Sequence, residues 1–208
     1  AGLAAVSGMV VRGPRLHLRY ATPDDAPALF ELASDPEVTR FFSWGPYRDV
    51  SEPLAYIESL AAQRESGERL EFVIAGEDDV PIGVTGLSEH SVRDRRATIG
   101  SWLGRRYWGT GANRDAKALV LALAFRTLGM ERVTAYASPH NPRSLRALEK
   151  LGFVREGVLR AWHRHRGEPR DVAILGLLRE EWEAGPLAAE PVTVEGEPPA
   201  AWRHSQRK

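Results

Sequence analysis

No cysteine occurs among the 208 residues of the chain. Disulfides, thiolate nucleophiles and cysteine-ligated metals are therefore excluded. Nor is there an excess of charge of either sign: 28 basic side chains stand against 28 acidic ones. On the global count this excludes a strongly basic nucleic-acid binder, and no direct nucleic-acid contact is expected. Lysine is scarce, present only as Lys117, Lys150 and Lys208, so almost all positive charge is arginine. Long apolar runs are missing too. The longest, Ala116 to Phe125, is interrupted by Lys117 and is far too short to span a bilayer, so no membrane partner is expected. The first residues, Ala1 to Gly13, lack a basic start followed by an apolar segment, and with no such signal a soluble cytoplasmic protein is expected. What is present is 43% hydrophobic and 27% charged, the balance of an ordinary globular domain.

Composition divides the chain into three parts. Residues 1–14 are small and apolar without periodicity and read as a weakly structured leader closed by Pro14. Residues 185–208 carry Pro186, Pro191, Pro198 and Pro199 among scattered glutamates and read as a Pro-rich mobile tail. The folded domain is expected over residues 15–184. Leu16, Leu18 and Tyr20 alternate as a strand does. Thr22-Pro23-Asp24-Asp25 has the form of a helix start, with an N-cap, proline at N1 and acids in the first turn, and a helix is expected to about Ala33. A second helix is predicted from Ser51 to Glu65. Strands follow at Glu71–Ala75, Pro81–Glu89 and Ala97–Leu103, then a long helix from Thr110 with Gly129 as its stop. A strand over Arg132–Ser138, a short helix opened by Asn141-Pro142 and ended at Gly152, and two strands over Phe153–Trp162 and Asp171–Leu178 complete the order. Several antiparallel neighbours with one crossover helix predict an α+β fold around a mixed, mostly antiparallel sheet of six to seven strands, with about four helices.

The segment Arg106-Tyr107-Trp108-Gly109-Thr110-Gly111-Ala112-Asn113 joins a predicted strand to the long helix. Its two glycines permit a tight turn, and the helix start beyond them has free N–H groups and a positive dipole end suited to an anion. Arg105, Arg106, Arg114 and Lys117 add positive charge. A third glycine of the dinucleotide fingerprint is absent at Arg114, and so is the lysine-serine pair of a P-loop. The segment is thus either a phosphate cradle or a plain tight turn. Further on, Asn141-Pro142-Arg143-Ser144 and Leu151-Gly152-Phe153 read equally well as an ordinary helix start and stop.

Taken together, these motifs resemble the GNAT acyl-CoA N-acyltransferases, in the branch of the ribosomal-protein N-terminal acetyltransferases (RimJ/RimL type), over Arg15 to Trp182. Arg106-x-x-Gly109-x-Gly111 resembles the loop that holds the pyrophosphate of coenzyme A. Ile99-Gly100-Ser101-Trp102-Leu103 resembles the strand that splays from its neighbour and pairs with the pantetheine arm. Asn141-x-x-Ser144, Glu156-Gly157 and Arg170-Asp171-Val172 fit the branch's C-terminal half. The resemblance implies acetyl-CoA as the cofactor, held by Trp102, Leu103, Arg106, Trp108, Gly109, Thr110, Gly111, Ala112, Asn113, Lys117, Asn141 and Ser144. Two departures stand out. The run Ala112-Asn113-Arg114-Asp115-Ala116-Lys117 replaces the usual aromatic or aliphatic, small and Thr/Ser-Glu-Ala pattern, and Thr98 occupies a position where many relatives carry glutamate.

The implied reaction is direct attack of an amine on the thioester of acetyl-CoA through a tetrahedral intermediate, the acceptor being a peptide or protein N-terminal α-amine. A backbone N–H near Trp102 or Leu103 would face the oxyanion, and Ser144 would protonate the thiolate. His163 is the candidate base because imidazole titrates near neutrality; His163, His165 and Trp162 read equally as a polar strand end. The His-x-His pair has no evident third ligand, and no metal is expected. Phe41, Phe42, Trp44 and Tyr47 either line the acceptor groove or pack as a flap on the sheet. A small-amine acetyltransferase, acting on an aminoglycoside or polyamine, is the alternative activity; a CoA-binding regulatory or ribosome-associated module without turnover is the alternative class. A homodimer is a further expectation from the resemblance.

The neutral total conceals a division. Residues 22–79 hold 14 acids and 4 bases, whereas residues 93–170 hold 17 bases and 6 acids. The basic part contains every proposed coenzyme contact, and the acidic part supplies the helices expected to border a cationic amine.

Overall fold

A computed structural model describes residues 8–203. Alternating apolar side chains build one nine-stranded sheet with six α-helices around it. In chain order the strands are β1 (Val10–Arg12), β2 (His17–Arg19), β3 (Arg69–Ala75), β4 (Pro81–Ser91), β5 (Arg96–Leu103), β6 (Arg132–Ala137), β7 (Val154–His165), β8 (Glu168–Leu178) and β9 (Thr193–Glu195). The helices are α1 (Ala26–Ala33), α2 (Pro36–Thr39), α3 (Ser51–Ser66), α4 (Ala112–Ala122), α5 (Pro142–Lys150) and α6 (Arg179–Ala184). Strands lie in the order β7-β8-β6-β5-β4-β3-β2-β1-β9. Every pair is antiparallel except β5 and β6, which α4 connects as the expected crossover. None of the described helices is long and apolar enough to cross a membrane.

Period two sorts the side chains to two faces. Leu70, Phe72 and Ile74 of β3 join Ile99 and Leu103 of β5 in the large core beneath α4, while Val73, Val84 and Trp102 turn to the other face, against α1 and α3. Helix α4 is buried almost all round from Ala116 onward and ends in a π-helical turn over Leu123–Thr127. The start of α1 is pinned by charge. Asp25 is hydrogen-bonded to the Thr22 N–H at 2.8 Å and receives both terminal nitrogens of Arg19 from β2, at 2.8 and 2.9 Å.

The parallel ladder is short, and this shapes the molecule. β5 and β6 pair from Arg96↔Arg132 to Ile99↔Ala135 and no further. β5 nevertheless continues beside β4 to Leu103↔Gly83, and β6 beside β8 to Ala137↔Ala173. The two strands therefore diverge beyond Ile99 and leave a split in the sheet.

The leader and tail expected from composition need correction. Met9, Val10 and Val11 are buried, and β1 pairs with both β2 and β9. Leu187 is buried, and Trp202, with 0% of its surface exposed, stacks on His90 with ring centroids 4.4 Å apart. Three-residue strands and isolated anchors are too brief to show as periodicity, yet each covers apolar surface that the sheet edge would otherwise leave wet. Residues 1–7 and 204–208 of those two segments lie outside the described residues. The hairpin of β7 and β8 also reaches further than expected, closing only at Arg166-Gly167, so His163 is a strand residue opposite Arg170.

Candidate active site

The turn between β5 and α4 takes the shape its glycines allow. Gly109 and Gly111 have φ of +76° and +91°, the left-handed region that costs other residues about 1–2 kcal/mol. A Cβ at Gly109 would meet nothing, so backbone conformation and not space demands glycine there. The Thr110 hydroxyl donates to the Tyr107 carbonyl at 2.8 Å and accepts from the Ala112 N–H at 3.3 Å. Gly111 caps α4, whose first N–H groups lack intrahelical acceptors. Of the four cations expected around the turn, Arg105 and Arg106 are exposed beside it. All three arginines are ion-paired, Arg105 with Asp35 at 3.7 Å, Arg106 with Glu31 at 3.5 Å and Arg114 with Glu190 at 2.6 Å, whereas Lys117 is buried beneath β5. Arg143, not singled out from the sequence, also stands at the turn, its guanidinium 3.5 Å from the centre of the Trp108 ring. The Trp108 indole N–H in turn donates to the Leu103 carbonyl at 3.0 Å.

Backbone directions along β5 correct one further expectation. The Gly104 N–H bonds to the Ile82 carbonyl and the Gly100 carbonyl receives Thr85 Oγ1, so the even-numbered residues face β4. Alternation then commits the Trp102 N–H to β4 and points the N–H groups of Ser101 and Leu103 into the split. Trp102 contributes its side chain instead.

A chamber of about 570 Å³ passes through the split. Thr98, Gly100, Trp102 and Tyr136 line it on the α1/α3 face; Ser101, Lys117, Ser144 and Leu148 line it on the α4/α5 face, with Asn141 beside them. Asn141 caps α5, its side-chain oxygen accepting the Ser144 N–H at 3.2 Å, which leaves its amide NH₂ as donor. The Lys117 ammonium donates to Asn113 Oδ1 at 2.9 Å and to Ser101 Oγ. Burial with no carboxylate beside it brings the Lys117 pKa down to about 8.

On the α1/α3 face the flap residues line the chamber. Trp44 lies between Phe42 and Tyr47, with ring centroids at 5.5 and 5.2 Å, and meets Trp102 edge-on at 5.7 Å. Behind them Tyr56 donates its hydroxyl to Glu71 at 2.5 Å. Burial pushes the Tyr56 phenol well above its ordinary range and that of Tyr47 up to about 12, so both remain neutral donors.

The chamber runs into an outer groove of about 810 Å³, sharing Phe41, Phe42, Ser43, Ser138, His163 and Val172 with it. A bulge in β7 between Leu159 and His163 brings His163 to this junction, as bulges re-aim side chains elsewhere. Ala161 there has φ +51°, and its N–H is held by Asp171 at 2.8 Å. His163 stands edge-on to Tyr136, ring centroids 6.3 Å apart.

One carboxylate escaped the sequence reading. Glu89 of β4 lies at a register shift between Ser88 and Ser91, with φ +48°. Its Oε2 accepts the hydroxyls of Thr98 at 2.8 Å and Tyr136 at 3.0 Å, one from each strand flanking the split. Burial and the contact with Glu89 raise the Tyr136 pKa. Glu89 thus places a carboxylate against Thr98 from the neighbouring strand.

A strand that diverges from its parallel neighbour, a glycine turn onto a helix and a chamber between them are matched by similarity across the chain. The family model for the acetyltransferase (GNAT) domain matches residues 15–154. The chain belongs to the GNAT acetyltransferase family. GNAT relatives extend over most of its length. The uncharacterised N-acetyltransferase p20 of Bacillus licheniformis is 34% identical over 169 residues, covering 81% of this chain and 95% of the relative. A candidate acetyltransferase crystallised from T. thermophilus superposes with a TM-score of 0.73 at 33% identity, covering 83% of this chain and 90% of the other. The ribosomal protein uS5-alanine N-acetyltransferase of Escherichia coli (strain K12) is 29% identical over 150 residues, 68% of this chain and 77% of the relative. The expected GNAT fold and an acetyl-CoA-dependent N-acetyltransferase are therefore established at the level of the family.

Proposed function

We propose that the chain transfers acetyl from acetyl-CoA to the α-amine of a peptide or protein N-terminus, as a RimJ/RimL-type enzyme. One observation carries this reading: the chamber in the split continues into the larger outer groove. A small amine needs only the chamber, whereas a peptide whose α-amine enters it needs room for the residues that follow. The uS5-alanine relative supports the same class of acceptor.

The residues present fit coenzyme A. Gly109, Thr110, Gly111 and the N–H group of Asn113 form an anion cradle at the start of α4, with Arg106 over Tyr107 and Arg143 over Trp108 as its cations. The N–H groups of Ser101 and Leu103 and the amide of Asn141 are donors for the amide groups of a pantetheine arm. Acetyl-CoA supplies the acyl group as a thioester. On the other face Trp102, the flap aromatics and Glu71 receive an amine that arrives as a cation. His163 takes a proton from that amine, and the Ser144 hydroxyl hydrogen-bonds the sulfur. An α-amine has a pKa of about 7.7, against about 10.4 for lysine, so a weak base suffices.

A second route for the proton runs through Tyr136, because Glu89 accepts its hydroxyl directly. The routes separate by mutation. With His163 as base, His163→Ala lowers kcat about 100-fold, whereas Glu89→Gln changes it by less than about 3-fold. The reverse result assigns the proton to Glu89 through Tyr136.

Acceptor class is tested by following thiol release from acetyl-CoA with a panel of amines. Peptides with a free α-amine are expected to exceed α-blocked, lysine-containing peptides by at least about 10-fold in kcat/KM. Stronger turnover of spermidine or an aminoglycoside overturns the peptide assignment, and coenzyme binding without turnover of any amine overturns the enzymatic one.

A further inference from the structure

Lys117 is out of place as a core residue. Its neighbours Ala116, Ala118, Leu119 and Val120 are buried apolar groups, and Lys117 itself is 7% exposed. An ammonium so placed is costly unless its hydrogens are bonded. Two acceptors are provided, Ser101 Oγ from β5 and Asn113 Oδ1 one turn back on α4. An ammonium has three hydrogens, and the chamber that Lys117 lines is also lined by Asn141, Ser144 and Leu148. The cation is therefore presented under the diverging end of β5, where the thiol end of the coenzyme lies on the reading proposed above.

Resting on that reading, we propose that Lys117 is the proton donor to the departing coenzyme A thiolate. As the bond from the amine nitrogen to the acyl carbon forms and the carbon–sulfur bond breaks, the ammonium passes one proton to sulfur. The lysine is left as a neutral amine and regains its proton from solvent through the chamber. Ser144 can hydrogen-bond the sulfur, but a hydroxyl is a weaker acid than the thiol it would have to protonate. A lysine titrating near 8 is matched to a thiol of about 8.5. The two groups bonded to the ammonium, Ser101 and Asn113, do not titrate in this range. The chamber's other ionisable lining groups are Tyr47, Glu52, Tyr56, Arg69, Glu71, Tyr136 and His163, and none of them is hydrogen-bonded to the ammonium.

With only three lysines in the chain, NMR of lysine-labelled protein reads this site directly. One side-chain signal, absent from Lys117→Met, is expected to titrate near pH 8. It is expected to move on adding coenzyme A and to move much less with the analogue lacking sulfur. In turnover with the best acceptor, Lys117→Met is expected to lower kcat about 100-fold, keep KM for acetyl-CoA within about 3-fold and lose the decline of kcat above pH 8. A signal indifferent to the sulfur, or a variant that keeps both kcat and its alkaline decline, overturns the proposal. Because the NMR measurement needs no acceptor, it stands even where the amine panel shows no turnover: a sulfur-dependent shift then supports Lys117 at the thiol while the acceptor reading fails. It also needs no variant beyond signal assignment, which a folded Lys117→Arg protein provides where the methionine variant does not fold.

Discussion

Asp25→Ala is expected to remove about 3–5 kcal/mol of folding free energy, because it leaves the Arg19 guanidinium buried without its counter-ion. Arg19 and Asp25 are 8% and 5% exposed, so water cannot replace the lost partner. Hydrogen bonding to Asp25 is also what raises the Arg19 pKa most. Asp79 would remain, its carboxylate 2.7 Å from Arg19 Nε and its carbonyl 3.0 Å from Nη2, but that carboxylate is half-exposed and offsets only part of the loss. The same substitution removes the acceptor of the Thr22 N–H and with it the start of α1. For a protein of this size the melting temperature should fall by roughly 6–20 °C. A urea titration checks the free energy, and a change under about 1 kcal/mol would show that the pair is not buried as described. Arg19→Met combined with Asp25→Leu should recover much of the loss, since an apolar pair of similar volume often replaces a buried ion pair without cost.

The second large effect is expected far from the chamber. Trp202→Ala should cost about 3–5 kcal/mol, the usual range for deleting a fully buried aromatic side chain. Trp202 packs in the same core as Leu70, Phe72 and Leu87, and its ring stacks on His90 of β4. Removing it opens a void behind the strand that carries Glu89. Thermal unfolding followed by far-UV circular dichroism checks the cost; an unchanged midpoint would return residues 185–203 to the status of a dispensable tail.

The split in the sheet was legible only through the resemblance of Ile99–Leu103 to a strand that splays from its neighbour, whereas the fold class followed from alternation between periods of two and 3.6. The edges were not legible. Val10–Arg12 and Thr193–Glu195 are too short for periodicity, and Trp202 sits in a proline-rich stretch whose composition argues against order. The site was read unevenly for a different reason. Residues contiguous with the glycine turn could be assigned from local backbone logic, whereas Glu89 and Arg143 enter through pairings across strands and loops that no local window contains. Thr98 pointed to a missing carboxylate but not to Glu89, since a register shift and a positive φ in β4 determine where Glu89 reaches. Lys117 was marked by its interruption of an apolar run. Its burial against Ser101 depended on the face of β5 that alternation assigned.

The chamber has walls from both faces of the sheet, and this bears on the order of events. On the proposed reading, with acetyl-CoA at one face and the amine at the other, the two do not compete for a single doorway, so neither must leave before the other arrives. On that reading the hand-over takes place while both are present. Mutations at one mouth can then alter affinity for its own visitor and leave the other's unchanged, so a lineage of such enzymes can exchange acceptors while retaining one donor.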